Sequence, residues 1–222
     1  AANNGFVFTQ AGGGFIVNAG TVVLSGNGSF TNNTTASTLN ILPGGTLTLD
    51  NSGTPVSSRF GGRGLTVVGG TLNLIGNAAA VTEALGAPVF NRGQTTITVT
   101  DGGGGTNLTF GAAANNVSPI QSTGGSGATV LFRGTSLGTA AGAGIASIAV
   151  STGGFTFNGQ TGAAATPSKG ILPWAVVDTT TAGLGVSFAT ADTATAILRP
   201  LAGSEYASGS LSANNNMLVT TV

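Results

Sequence analysis

The chain of 222 residues contains no cysteine and no histidine, and Lys169 is its one lysine. Without imidazole or thiol it has no histidine general base, no cysteine nucleophile and no zinc cage of Cys and His. Haem and iron–sulfur ligation go with them. A disulfide-stapled secreted module is excluded too, while redox chemistry leaves the compartment open. Charge is equally scarce. Six Lys+Arg face six Asp+Glu, 5% of the chain, where about 25% is ordinary. Five scattered arginines and one lysine cannot form the basic stripe that phosphate neutralisation requires, so nucleic acid is not an expected partner. Long apolar runs are missing. Residues 1–49 carry no charge, but Gly, Asn and Thr interrupt them every few positions. Nothing approaches the ~18 apolar residues of a membrane helix, and no membrane insertion is expected. No basic stretch followed by an apolar one opens the sequence. The expectation is a mature, processed protein or a window of a longer one.

What is present is 39 glycines and a 41% hydrophobic fraction, which argues against disorder. A pI near 6.3 with so few charges gives weak colloidal repulsion, as suits a protein that associates or is held on a surface. Helix formers are sparse. The one helical candidate is Asn77 to Gly86, two turns with Asn77 as N-cap and Gly86 as C-cap. The rest reads as short strands of Val, Ile, Leu, Phe and Thr between Gly/Asn/Ser turns.

The informative feature is a repeat. Gly20-Thr21-Val22-Val23-Leu24 recurs as Gly45-Thr46-Leu47-Thr48-Leu49 and as Gly70-Thr71-Leu72-Asn73-Leu74, 25 residues apart each time. A further step reaches Thr95-Thr96-Ile97-Thr98-Val99, without the glycine. A second apolar run precedes the first three copies: Phe15-Ile16-Val17, Leu39-Asn40-Ile41-Leu42 and Leu65-Thr66-Val67-Val68. After residue 105 the register loosens. A fixed period in the twenties predicts an all-β, right-handed parallel β-solenoid (β-helix) with 25-residue rungs. Stacked rungs would place Leu47 over Val22 and Leu72 over Leu47, with glycine at corners that need positive φ. The expected division is solenoid repeats over 1–160 and a less regular C-terminal β module or cap over 161–222. The alternative is an antiparallel β-sandwich, because residues 65–74 also fit a type I′ hairpin that pairs Val67 with Leu72.

The Gly-Thr-Leu-Thr-Leu and Gly-Gly-Thr-Leu-Asn-Leu units resemble the autotransporter-associated β-strand repeat of very large bacterial surface and secreted proteins. The stretches Gly170-Ile171-Leu172-Pro173-Trp174, Gly183-Leu184-Gly185-Val186-Ser187-Phe188 and Ile197-Leu198-Arg199-Pro200-Leu201 resemble a block that recurs between solenoid stretches in giant members. The resemblance implies an extracellular or bacterial cell-surface location and a structural or adhesive role.

The candidate chemistry is thin. Asp50 and Asp101, two rungs apart, would stand about 9.6 Å from each other, near the range of an inverting glycosidase pair. Both directly follow a strand, where Asp serves its own turn. The expectation is therefore no enzyme activity, no metal and no cofactor, and the alternative is a polysaccharide-binding or polysaccharide-cleaving β-helix. Arg59, Arg63 and Arg92 frame a Gly-rich segment and read as a solvated loop, with Arg paired to Asp50 or Glu83. Arg199 and Glu205 read as a surface ion pair of little worth. Trp174 reads as a core or cap anchor. Thr-x-Thr pairs such as Thr46/Thr48 and Thr96/Thr98 suit outward strand faces, with ice binding as a minor alternative. The Gly runs match neither a phosphate loop nor a calcium nonapeptide.

Both ends are uncharged and β-prone. Phe6, Val7 and Phe8 open the chain, and Met217, Leu218, Val219 and Val222 close it. These are the expected assembly residues, pairing head to tail with other copies or with neighbouring repeats of a longer chain. A surface polysaccharide is a further expected partner.

Overall fold

The computed structural model describes residues 14–30, 38–86, 88–111, 127–150, 162–192, 196–209 and 213–218. In chain order the strands begin with β1 (Phe15–Val17), β2 (Gly20–Leu24), β3 (Thr38–Ile41), β4 (Gly45–Asp50) and β5 (Gly64–Val67). They continue as β6 (Thr71–Ile75), β7 (Val81–Leu85), β8 (Pro88–Phe90), β9 (Gln94–Thr100) and β10 (Thr106–Phe110). The last are β11 (Thr129–Gly134), β12 (Ala146–Val150), β13 (Leu172–Asp178), β14 (Ser187–Ala191) and β15 (Leu198–Pro200). Among the described residues the only helical element is one 3₁₀ turn, Gly203–Glu205.

The fold is all-β with parallel sheets. The principal sheet runs β15-β14-β13-β11-β9-β6-β4-β2, a second runs β1-β3-β5-β8 and a third β12-β10-β7. Consecutive strands from β1 to β13 lie in different sheets, so none of them pairs with its immediate neighbour in the chain. All pairs are parallel except β13–β14 and β14–β15. In the principal sheet Val22 opposes Leu47, Leu47 opposes Leu72 and Leu72 opposes Ile97, each 25 residues on. Ile97 then opposes Phe132, and Phe132 opposes Val177, across longer insertions.

Side-chain alternation explains why these segments are strands. Leu47 and Leu49 of β4 are fully buried while Thr46 and Thr48 between them are half-buried. β6 repeats the pattern with Leu72 and Leu74 inside. Parallel sheets are ordinarily covered on both faces and read as continuous apolar runs. In β4 and β6 the outward residues are Thr46, Thr48, Thr71 and Asn73, so the period of two stays visible. Gly44 and Gly69 enter the strand starts at φ +78° and +75°, a region that a Cβ disfavours. All three sheets give their inner faces to one core. Trp174 lies in it, 5.8 Å from the Phe90 ring and 6.4 Å from Phe132.

One expectation is corrected, and the antiparallel alternative does not hold. Asn77 to Gly86 holds no helix; residues 81–85 form β7, paired in register with β10. Val81, Glu83 and Leu85 all turn inward, a period of two that overrides helix propensity. Asn77 bridges turns instead, its Nδ2 donating to the carbonyls of Asn51 and Ser52. The hairpin at 65–74 does not form either. β5 pairs with β3 and β8, and β6 with β4 and β9, all in parallel.

Candidate functional site

Of the expected assembly residues, Phe6, Val7, Phe8, Val219 and Val222 lie outside the described residues. Met217 forms a parallel bridge to Ala207. The Ala207 N–H donates to the Asn216 carbonyl at 2.7 Å, and the Asn216 Nδ2 donates to the Lys169 and Glu205 carbonyls at 2.9 and 3.2 Å. The closing segment is thus anchored on its own chain up to Leu218, which is 55% exposed.

The principal sheet ends on β2 at one side. The Gly20 N–H donates to the Gly44 carbonyl. Because backbone groups alternate along a strand, those of Thr21 and Val23 face away from β4. Burial falls off there. Val22 and Leu24 are only half-buried, whereas their stacked partners Leu47 and Leu49 are fully buried. Val23 on the outer face is 51% exposed and Ile16 of β1 59%. No described strand covers this edge. The opposite edge, β15, is blunted by Arg199 and Pro200, the devices that keep a strand from pairing further.

Arg199 does not form a weak surface pair, as expected from sequence. Its Nε and Nη2 grip both oxygens of Asp192 at 3.0 and 2.7 Å, while Nη1 and Nη2 each reach Glu205 at 2.7 Å. Glu205 is fully buried and also accepts the N–H groups of Ala165 and Ala202. Lys169 Nζ stands 3.8 Å from Asp192. Burial pushes the Glu205 carboxyl up, but the Arg199 bonds and the two N–H donors outweigh it and hold the group at about 2. The Arg199 side-chain bonds likewise hold Asp192 below its ordinary range. A groove of about 470 Å³ opens over this cluster between Leu137, Thr139, Leu201 and Ala202. With Nη1 also on the Pro200 carbonyl, every guanidinium donor is engaged and none is left for a ligand.

The Arg59 loop is likewise not solvated. Arg59 is fully buried. Its Nε donates to Asn51 Oδ1 at 2.8 Å, and its Nη atoms donate to the carbonyls of Gly26, Gly28, Asp50 and Thr54. Burial pulls its pKa down. Glu83, also fully buried, accepts the N–H groups of Arg59 and Phe60 at 2.7 and 3.0 Å. Its carboxyl is raised to about 7 by burial, against which those two bonds and the Arg59 charge act. Arg63 lies over the Phe30 ring, 5.4 Å from its centroid, and Arg92 is exposed.

Asp50 and Asp101 serve their own turns. Asp50 Oδ1 accepts the N–H and hydroxyl of Ser52, which hold its carboxyl below the usual range. Asp101 accepts the N–H groups of Gly103 and Gly105 and the Thr106 hydroxyl. Among the described residues no group of three His, Cys, Asp or Glu side chains could hold a metal ion. No described helix is long and apolar enough to cross a membrane. Sequence reasoning missed the burial of Glu83, although Val81-x-Glu83-x-Leu85 carries the strand period that places it inside. Comparison with protein-family models, curated proteins and solved structures finds no match.

Proposed function

We propose that the chain is a non-enzymatic structural protein of the bacterial cell surface, a unit of a right-handed parallel β-solenoid joined to further units through its open edge. The observation that carries this reading is the loss of burial from Leu47 and Leu49 to Val22 and Leu24 at the edge strand β2. The 25-residue offset between paired residues supports rungs of that length, each of which completes its core only against a neighbour. A half-open core beside Thr21 and Val23, whose backbone groups no described strand pairs, accepts a strand that adds both backbone bonds and apolar cover. The pairing is head to tail, the segment beyond Leu218 of one unit docking on β1 and β2 of the next. Such a heterologous contact builds a fibre or sheath when its rotation does not close. The binding of Asp50 and Asp101 in their own turns supports the absence of turnover at that pair.

Deleting residues 217–222 tests this reading. The truncated chain is expected to remain folded by circular dichroism and to stay monomeric by light scattering under conditions where the full chain assembles. Assembly of the truncated chain at the same concentration would reject the head-to-tail contact.

A further inference from the structure

The principal and second sheets reach the open edge as strands, β2 and β1, whereas the third sheet stops at β7. Segment 57–63 follows β7 without forming a strand. It is joined to β7 by the Ser58 N–H on the Thr82 carbonyl and the Gly62 N–H on the Ala84 carbonyl. Stretch 25–30, directly after β2, lies beyond that segment and holds no strand either. The Phe30 N–H donates to the Arg59 carbonyl at 2.7 Å, and the Arg59 side chain adds what a ladder would otherwise supply. Its Nη1 donates to the Gly28 carbonyl at 2.5 Å and its Nη2 to the Gly26 carbonyl at 2.9 Å. Nε and Nη2 reach the other way, to Asn51 Oδ1 and to the carbonyls of Asp50 and Thr54. One planar guanidinium thus bridges the edge stretch to the segment after β4. Rings continue the bridge, Phe60 standing 4.7 Å from Phe30 and Phe30 5.1 Å from Phe15 of β1.

We infer that Arg59 is a positioning residue for the open edge, a latch that holds β2 and the turn after it in the shape an incoming strand needs. The docking part of this inference rests on the head-to-tail reading above. Among the described strands β2 has a partner on one side, β4, and a strand held so lightly opens locally more readily than a core strand. Gly26, at φ +55°, and Asn27 form a tight turn closed by the Gly28 N–H on the Ser25 carbonyl at 3.0 Å. That turn sets the end of β2, just past Leu24, whose half-buried side chain belongs to the docking face. Both edge carbonyls that Arg59 holds lie in this turn. Gly28 is buried, so its carbonyl without a donor would favour the open turn. Arg59 is itself fully buried, and it holds the turn from inside, leaving the docking face clear. Without it the turn and the end of β2 fray. An incoming strand then meets a competent edge only part of the time, and its apparent affinity falls by that fraction.

Two readings on the full chain test the inference: amide hydrogen exchange below the assembly concentration, and the concentration at which assembly begins. In Arg59→Met the amides of Leu24, Gly28 and Phe30 are expected to exchange at least about tenfold faster, while those of β6 and β9 change much less. Assembly is expected to begin at a concentration about tenfold higher. Arg59→Lys, which keeps a cation and loses the planar fork, should behave like Arg59→Met at the edge. Arg199→Met is the control, because it removes a buried cation at the β15 end. It should lower the melting temperature comparably and leave both edge readings near wild type. Edge amides in Arg59→Met that stay as protected as in wild type would overturn the inference. So would equal shifts in Arg59→Met and Arg199→Met, which would reduce the role of Arg59 to global stability. A wild-type chain that never assembles rejects the head-to-tail contact and the docking role with it, while the exchange at Leu24, Gly28 and Phe30 separately decides the latch. In the wild type itself Gly28 and Phe30 are expected to be protected about a hundredfold or more over the unfolded chain, although no strand holds them. Free exchange at those two amides sinks the latch, and this reading decides alone if neither Arg59 variant folds.

Discussion

Leu72 and Val22 occupy the same inward column of the principal sheet, two strands apart, yet truncating them should have very different costs. Leu72 is fully buried between Leu47 and Ile97. Both neighbours are fixed by parallel backbone ladders, so the space left by Leu72→Ala cannot collapse. Leu→Ala changes of this kind cost about 3–5 kcal/mol, the upper values where the surroundings stay rigid. Val22 is half-exposed and opposes Leu47, with no described strand on its other side. Val22→Ala removes two partly wetted methyl groups, worth about 0.5–1 kcal/mol. For a chain of this size 1 kcal/mol shifts the melting temperature by about 2–4 °C. Leu72→Ala is therefore expected to lower it by roughly 10 °C and Val22→Ala by about 2 °C. Urea unfolding of the monomer, with unchanged m values, and calorimetry measure both. Equal losses at the two positions would refute the reasoning, because they would mean that the core is already complete at β2.

Arg199→Met leaves the buried Glu205 carboxylate with two N–H donors and no cation, and should cost about 3–5 kcal/mol, readable in urea unfolding. Stability should peak in mildly acidic solution. Glu205, held at about 2 against 4.5, contributes stability that is complete above pH 4.5 and is lost as pH falls toward 2. Glu83, raised to about 7, contributes stability that is complete below pH 4.5 and is lost as pH rises through 7. A melting series from pH 2 to 9 checks both limbs. Gly76→Ala drives a Cβ into the Thr106 side chain and should cost about 1–3 kcal/mol, whereas Gly53→Ala meets nothing within 4 Å and should change the melting temperature little.

The 25-residue offset among β2, β4, β6 and β9 was legible because threonine and asparagine stand between the inward residues of β4 and β6. Inward Val22, Leu47 and Leu72 therefore stand out as a column with its own turns. Past β9 the insertions before β11 and β13 break the spacing, and no local pattern announces that Ile97 meets Phe132 or that Phe132 meets Val177. The charged clusters were hidden for a different reason. Arg199 lies six residues from Glu205, which reads as a local exposed pair. Its burial depends on Asp192, Lys169, Ala165 and the Asn216 segment converging from separate stretches. Arg59 was misread because glycines around a cation suggest a solvated loop. Here the carbonyls of Gly26, Gly28, Asp50 and Thr54, outside that Gly-rich segment, surround the guanidinium.

The open edge of β2 is the centre of the account, and Val23→Pro tests it most directly. Val23 is half-exposed and on the outer face, and its N–H points away from β4. Proline there removes an edge donor that makes no sheet bond to a described strand, a substitution that edge strands tolerate. Sedimentation velocity over a wide range of concentration, with electron microscopy of the same samples, reads the outcome. The wild-type chain is expected to form elongated assemblies with rising concentration, and Val23→Pro to remain a folded monomer with a similar melting temperature. A wild-type chain that is monomeric at every concentration, or a Val23→Pro chain that assembles as readily as wild type, would contradict the account.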